Sequence, residues 1–266
     1  MKKPKTLIFS GYGFNCEEEL SYAFTQAGGE ADIIHVNDLI DRPTLLTRYQ
    51  ILAFPGGFAY GDDTGSGNAY ASKVRNHLWE EVENFVTGDH LVIGICNGFQ
   101  VLVNLGLLPA MGGKYGTREV ALLPNESARY TVRWVDVKSE SNSPWLSGVQ
   151  TLMLPIAHGE GKMSMSSKTL KELEKKNMIA LRYVQGEICD YQKLKANPTG
   201  TISDIAGITD ESGKVFGLMP HPERAMFFTQ LPHWTHLKET YLRVGAKLPE
   251  VGPGAAIFIN AVKYFS

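Results

Sequence analysis

The sequence is poor in cysteine, has no long hydrophobic run and carries almost no net charge. Its three cysteines, Cys16, Cys96 and Cys189, are too few for a disulfide framework, and none belongs to a Cys-x-x-Cys pair that would indicate a sulfur-bound metal. The apolar run at residues 7–9 is shorter than a signal-peptide core, and no run reaches the roughly 18 residues of a membrane span. A formal net charge of −2 offers no attraction to nucleic acid or to an acidic membrane. We therefore expect a cytoplasmic protein that binds no metal, nucleic acid or membrane.

Short apolar runs alternate with amphipathic stretches over the first hundred residues. The runs KTLIFS, ADIIHV, ILAFP and LVIGI are continuous rather than alternating in polarity, as in parallel strands that are covered on both faces. Between the first two, apolar residues recur at helical spacing before a glycine pair, and residues 68–86 form a second helical stretch. This alternation predicts a doubly wound α/β sheet.

The middle of the chain is rich in β-strand patterns, and only one convincing helix, KTLKELEKKN, interrupts them. No linker rich in proline, glycine or serine separates this region, so we expect its strands to extend or flank the same sheet. The chain is then a single domain, residues 1–266, that ends in an extended helical segment at about residues 230–266.

The segment Gly94-Ile95-Cys96-Asn97-Gly98 places a thiol between a strand and a helix. Gly-x-Cys-x-Gly at such a junction is the cysteine form of a nucleophile elbow, which exposes its side chain at the carboxyl edge of the sheet. The helix N-terminus favours the thiolate, and the N–H of Asn97 is placed to stabilise an oxyanion. The alternative is an ordinary buried cysteine that packs in the core.

A thiol nucleophile needs a base, and His221 is the best candidate. It lies between Pro220 and Pro222, which restrict the backbone to an extended turn. In an extended segment residues i and i+2 point the same way, so Glu223 can orient the imidazole as in a catalytic triad. Taken alone, the same prolines would indicate only a structural turn.

A second oxyanion donor is predicted after the third strand. Gly56 and Gly57 allow the backbone to approach a ligand closely and to direct an N–H at it, although the same residues also suit a flexible loop. Neither this segment nor GYGFNC has the further residues of a P-loop or a dinucleotide-binding turn, and we exclude both.

Together these residues resemble the class I, or triad-type, glutamine amidotransferases. The resemblance rests on FPGGFAYGDD, GICNGFQVL, NESARY, PIAHGEG, NPTG and GLMPHPER, which follow the family's order from about Phe54 to Arg224. It implies a flavodoxin-like, open twisted sheet that is mostly parallel, with helices on both faces and an added β-rich insertion. NESARY and PIAHGEG narrow the likeness to a branch of purine biosynthesis in which the glutaminase is a separate subunit.

The resemblance also implies roles for individual residues. Cys96 would attack the side-chain amide of glutamine, His221 would shuttle the proton, and Glu223 would hold His221. The oxyanion would be held by the N–H groups of Gly57 and Asn97. The expected glutamine-binding residues are Phe58, Gln100, His158 and Gly159.

Two groups of residues keep alternative interpretations. His158 could equally be an alternative base, but its glycine-rich turn lacks an obvious orienting carboxylate. Asn125, Ser127 and Arg129 of NESARY either bind substrate or make a hydrogen-bonded turn before the next strand, and we expect them at the edge of the site or at a partner interface.

The sequence contains nothing that resembles an ATP site, so the resemblance assigns ATP and Mg²⁺ to a large synthetase subunit, with a small third subunit as a further partner. This chain itself would need no cofactor and would supply ammonia for amidine formation. Two other functions stay open: another Cys-His-Glu hydrolase with this fold, and a catalytically silent binding subunit. A glutamine-analogue electrophile that labels Cys96 would favour the amidotransferase.

Overall fold

The computed structural model describes residues 3–266 and contains eleven strands. The strands are β1 Lys5–Ser10, β2 Glu30–His35, β3 Ile51–Phe54, β4 Leu91–Ile95, β5 Val120–Leu123, β6 Thr131–Ser139, β7 Thr151–His158, β8 Lys162–Met165, β9 Ile179–Val184, β10 Ile205–Thr209 and β11 Val215–Leu218. The helices are α1 Glu17–Gln26, α2 Val36–Asp41, α3 Asn68–Thr87, α4 Asn97–Leu105, α5 Ser167–Lys175, α6 Glu187–Gln192, α7 Trp234–Arg243 and α8 Ala255–Tyr264.

Nine of these strands form one open sheet in the order β2-β1-β3-β4-β11-β10-β9-β6-β7. The five strands from β2 to β11 in this order are parallel, and all residues of β3, β4 and β11 are buried. The runs KTLIFS, ILAFP and LVIGI therefore form covered strands, and the predicted doubly wound sheet is confirmed. The run ADIIHV does not follow this prediction, because β2 lies at the sheet edge and has no buried residue.

The β-rich middle of the chain extends the same sheet. Strands β10, β9, β6 and β7 continue it in antiparallel order, and this half turns back toward the parallel half. The N–H of His221, after β11, donates to the carbonyl of Pro155 in the edge strand β7 at 2.8 Å. This contact brings the end of β7 to the carboxyl edge of the parallel strands, where the site lies.

Three short elements depart from the sequence-based prediction. Strand β8 pairs with β5 in a separate two-stranded sheet, and the six-residue helices α2 and α6 lie where no helix is predicted. The N–H groups of Ile188 and Cys189 at the start of α6 donate to the buried carboxylate of Asp136. This cap comes from a distant strand, so no local pattern indicates it.

The C-terminal segment divides into two unlike parts. Helix α8 packs on α1, with the rings of Phe24 and Phe258 5.1 Å apart in an edge-to-face arrangement, and contributes five buried residues. Helix α7 contributes none. Among the described residues, no helix is both long and apolar enough to cross a bilayer.

Candidate active site

Cys96 lies at the junction of β4 and α4 in the strained conformation of a nucleophile elbow. Its φ and ψ are 51° and −107°, in the region that residues with side chains seldom adopt. The flanking turn is very tight, because a Cβ at Gly98 would lie 1.9 Å from the carbonyl oxygen of Phe54. The glycines therefore permit the close approach of helix to strand that holds the thiol at the sheet edge.

His221 and Glu223 form a buried pair beside this thiol. His221 Nδ1 lies 2.6 Å from Glu223 Oε1, and both side chains are at most 3% exposed. The expected extended segment ends at His221, because residues Pro222–Arg224 form a 3₁₀ turn. The turn still directs the carboxylate at Nδ1, so the contact expected from the spacing is present although the backbone is not extended.

Neighbouring negative charges change the pKa of His221. Burial alone would lower the pKa of His221, but the negative charges of Glu223 and of a Cys96 thiolate raise that pKa well above its usual range. A carboxylate on Nδ1 leaves Nε2 free to exchange a proton with sulfur. Nε2 has no hydrogen-bond partner within residues 3–266.

The two expected oxyanion donors, Gly57 and Asn97, come from different elements near Cys96. Gly57 lines the same small pocket as Cys96, and its φ of 153° is one that glycine adopts readily. The next residue, Phe58, anchors this loop by donating its N–H to Gly13 at 2.8 Å. Asn97 is the first residue of α4, whose N–H has no acceptor within the helix.

The Asn97 side chain begins a buried network that reaches the PIAHGEG turn. It accepts from the Ala59 N–H at 3.0 Å and donates to Gln100 Oε1 at 2.9 Å. Gln100 Nε2 in turn donates to the carbonyl of Glu160 at 2.7 Å. The structure thus places Gln100 between α4 and this turn, with both ends of its amide engaged inside the protein.

Asn125 holds the same turn from the opposite side. Its side chain donates to the carbonyl of His158 at 2.9 Å and accepts from the Gly161 N–H at 3.0 Å, and its own N–H donates to Gly159 at 2.8 Å. For Asn125, the structure therefore favours the hydrogen-bonded turn over direct substrate binding. It positions the residues that the sequence assigns to glutamine binding.

His158, at the end of β7, is buried without a polar partner. Neither ring nitrogen has a hydrogen bond to any residue that the structure describes, and the residue is 2% exposed. Burial and the nearby charge of His221 lower the pKa of His158 to about 3. The imidazole is therefore neutral at physiological pH, and its contribution at this position is shape rather than charge.

The lowered pKa of His158 predicts a loss of stability on acidification. The unfolded chain binds the proton below about pH 6.5 and the folded chain only below about pH 3, so the free energy of unfolding falls as the pH drops between these values. From pH 7 to pH 5 we expect wild type to lose about 2 kcal/mol from this residue alone, a loss that His158→Phe avoids. Urea unfolding at both pH values measures it, with exposed His77→Gln as the control. Equal pH dependence in wild type and His158→Phe would contradict the prediction.

Cys16 is a functional candidate that the sequence-based analysis left without a role. It occupies the N-cap position of α1 without a side-chain capping bond, and its sulfur lies 2.9 Å from Arg224 Nη2 in the pocket that Cys96 and His221 line. Burial raises the pKa of the Cys16 thiol, even though its contact with His221 acts in the opposite direction. Its place in the loop between β1 and α1 was the available signal, because the carboxyl ends of parallel strands meet at one edge.

Cys16, His221 and Glu223 each present one atom able to ligate a metal, within 4.8 Å of one another. The 2.6 Å bond between the imidazole and the carboxylate already engages two of these groups. The guanidinium of Arg224 also contacts the third group, the Cys16 sulfur. This arrangement suits proton transfer between side chains better than it suits a bound cation.

The chain is similar over nearly its whole length to proteins of known family. Residues 3–265 match the CobB/CobQ-like glutamine amidotransferase domain. The chain is 45% identical to the phosphoribosylformylglycinamidine synthase subunit PurQ of Methanococcus maripaludis strain S2, over 99% of this chain and 98% of that protein. It is 42% identical to the subunit of the same name from Dehalococcoides mccartyi, with the same coverage. The solved structure of PurLQS from Thermotoga maritima superposes with a TM-score of 0.68 at 28% identity, covering 99% of this chain and 100% of that one.

Proposed function

The chain belongs to the CobB/CobQ-like glutamine amidotransferase family, and on that premise we propose that it is the glutaminase subunit of phosphoribosylformylglycinamidine synthase. The observation that carries the proposal is full-length identity of 42–45% to relatives of that name, in a chain whose thiol, imidazole and carboxylate meet at one sheet edge. In this role the chain hydrolyses glutamine and supplies ammonia for the amidine-forming step of purine biosynthesis in the cytoplasm.

The proposed reaction begins with attack of the Cys96 thiolate on the side-chain amide carbon of glutamine. The N–H groups of Gly57 and Asn97 hold the oxyanion of the tetrahedral intermediate. The imidazolium of His221 then gives its Nε2 proton to the departing nitrogen, and ammonia leaves as the C–N bond breaks. Glu223 holds the ring throughout and balances its positive charge whenever the ring is protonated.

Water completes the cycle. His221, now neutral, takes a proton from a water molecule that attacks the glutamyl thioester at Cys96, and collapse of this second intermediate releases glutamate and regenerates the thiolate. We assign binding of the glutamine amino-acid end to Phe58, Gly159 and the turn that His158 shapes. Gln100 supports this turn through Glu160 and reaches substrate only if that hydrogen bond is exchanged.

The partners follow from the relatives. The solved relative is named PurLQS, a complex in which PurQ is one subunit. By analogy, this chain acts together with other subunits of the synthase. We propose that a large partner binds ATP and Mg²⁺ and activates the acceptor amide, and that a small third subunit completes the assembly. This chain then needs no cofactor of its own.

We expect glutamine hydrolysis to depend on the synthetase, because ammonia released without an acceptor is wasted. Adding the cognate synthetase and its substrates should raise the glutaminase kcat/KM at least about tenfold, within the usual range of coupling between sites. Ammonia release by the purified chain, alone and in the complex, measures this effect, with the synthetase alone as background. Equal kcat/KM in both states would show a free-standing glutaminase, and no activity in either would favour a silent binding subunit.

A further inference from the structure

Tyr130, the last residue of NESARY, lines the catalytic pocket. Its hydroxyl donates to the carbonyl of Ala157 at 2.8 Å. The same carbonyl lies 3.8 Å from the Cys96 sulfur, so one oxygen anchors the phenol directly beside the nucleophile. Burial and the charge of Cys96 both raise the pKa of Tyr130, so the hydroxyl keeps its proton and remains a donor.

The phenol ring lies between two residues expected to hold glutamine. Its centroid is 6.0 Å from that of Phe58, and a Cβ added to Gly159 would lie 3.8 Å from Tyr130 Cδ2. Cys96, which lines the same pocket, is only 5% exposed, so little of the nucleophile is open to an incoming molecule.

Tyr130 is also placed to move. The residue is 50% exposed, so little burial holds its ring, and the hydrogen bond to Ala157 is its polar anchor. Ala128, two residues earlier, has a φ of 52°, a conformation that is uncommon for alanine. Asn125 fixes the start of the loop to the PIAHGEG turn, so motion would be confined to the residues after it.

We propose that Tyr130 is a gate over Cys96, held shut by its hydrogen bond to Ala157, and that it swings outward to admit glutamine. This inference rests on the proposed function, because glutamine is taken as the molecule that enters. The gate selects by size: it restrains a glutamine-shaped electrophile and leaves a small thiol reagent nearly unhindered.

The test compares how fast two reagents modify Cys96 in the free chain. The glutamine-shaped reagent is 6-diazo-5-oxo-L-norleucine, the small one is methyl methanethiosulfonate, and mass spectrometry identifies the labelled residue. Tyr130→Phe removes the hydroxyl anchor but keeps the ring, and Tyr130→Ala removes both. Tyr12→Phe is the matched control, because Tyr12 is a partly exposed tyrosine whose hydroxyl bonds to Asn37 away from the pocket.

Loss of one hydrogen bond should accelerate labelling of Tyr130→Phe by the glutamine analogue about 2- to 12-fold. Labelling of Tyr130→Ala by the analogue should accelerate at least as much. Labelling rates with the small reagent should stay within about twofold of wild type in every variant. Unchanged or slower analogue labelling in both Tyr130 variants would overturn the gate, and so would equal acceleration with both reagents. An analogue that labels no variant, even in the complex with the synthetase, while the small reagent labels Cys96, would overturn the proposed function itself.

Discussion

Replacing Cys96 with alanine is expected to lower glutamine hydrolysis by about 10⁴-fold or more, the usual cost of removing a covalent nucleophile. No other group at the elbow can form the thioester, and Cys96→Ala leaves the glycines and the buried pair of His221 and Glu223 in place. The folded structure should therefore persist while hydrolysis is lost. Ammonia release from glutamine measures the loss.

Two controls separate the chemistry from the fold. Cys189→Ala removes another buried thiol, on α6 and outside the pocket, and should leave hydrolysis unchanged. The Cys96→Ala complex should still make product from added ammonium salt, because that route bypasses this subunit. If Cys96→Ala retained more than about 1% of the activity, the neighbouring Cys16 would be the candidate nucleophile, against the mechanism proposed above.

Replacing Glu223 with glutamine is expected to lower kcat by about 10²- to 10⁴-fold. The variant keeps the size of the side chain but removes the charge that lies 2.6 Å from His221 Nδ1. An amide in place of the carboxylate can hold the wrong imidazole tautomer, and it no longer balances the imidazolium, as in other triads. Without that charge, burial dominates and the pKa of His221 falls.

The lowered pKa should also be visible in the reactivity of the thiol. In wild type the raised pKa of His221 keeps the imidazolium, the cationic partner of the Cys96 sulfur, to higher pH. In Glu223→Gln that partner is lost at lower pH, so we expect the pH profile of alkylation to differ from that of wild type, with slower alkylation at neutral pH. The control is Glu19→Gln, which removes a carboxylate 3.4 Å from Arg224 without contacting His221. Identical profiles for wild type and Glu223→Gln would contradict a charged Glu223–His221 pair.

Much of the parallel half of the fold could be predicted because its signals are local. Continuous apolar runs mark β1, β3 and β4, helical spacing marks α1 and α3, and glycines around Cys96 mark the elbow. The contact between His221 and Glu223 was also predictable from proximity in sequence. The backbone conformation of this segment was not predictable. Pro222–Arg224 form a 3₁₀ turn, whereas the sequence pattern indicates an extended segment.

Local sequence patterns were enough to predict the nucleophile elbow, the base beside its carboxylate and the strand–helix alternation that puts them at one sheet edge, since each depends on residues close together in the chain. Three other features became visible only in the folded chain: β7 returns to that edge, Cys16 lies against Arg224, and Tyr130 shares the Ala157 carbonyl with the nucleophile. Cys16 and Arg224 are 208 positions apart in the sequence, and Tyr130 and Ala157 are 27 positions apart. Such contacts depend on how the sheet curves and where its loops meet, and no periodicity or spacing in one chain encodes that geometry locally.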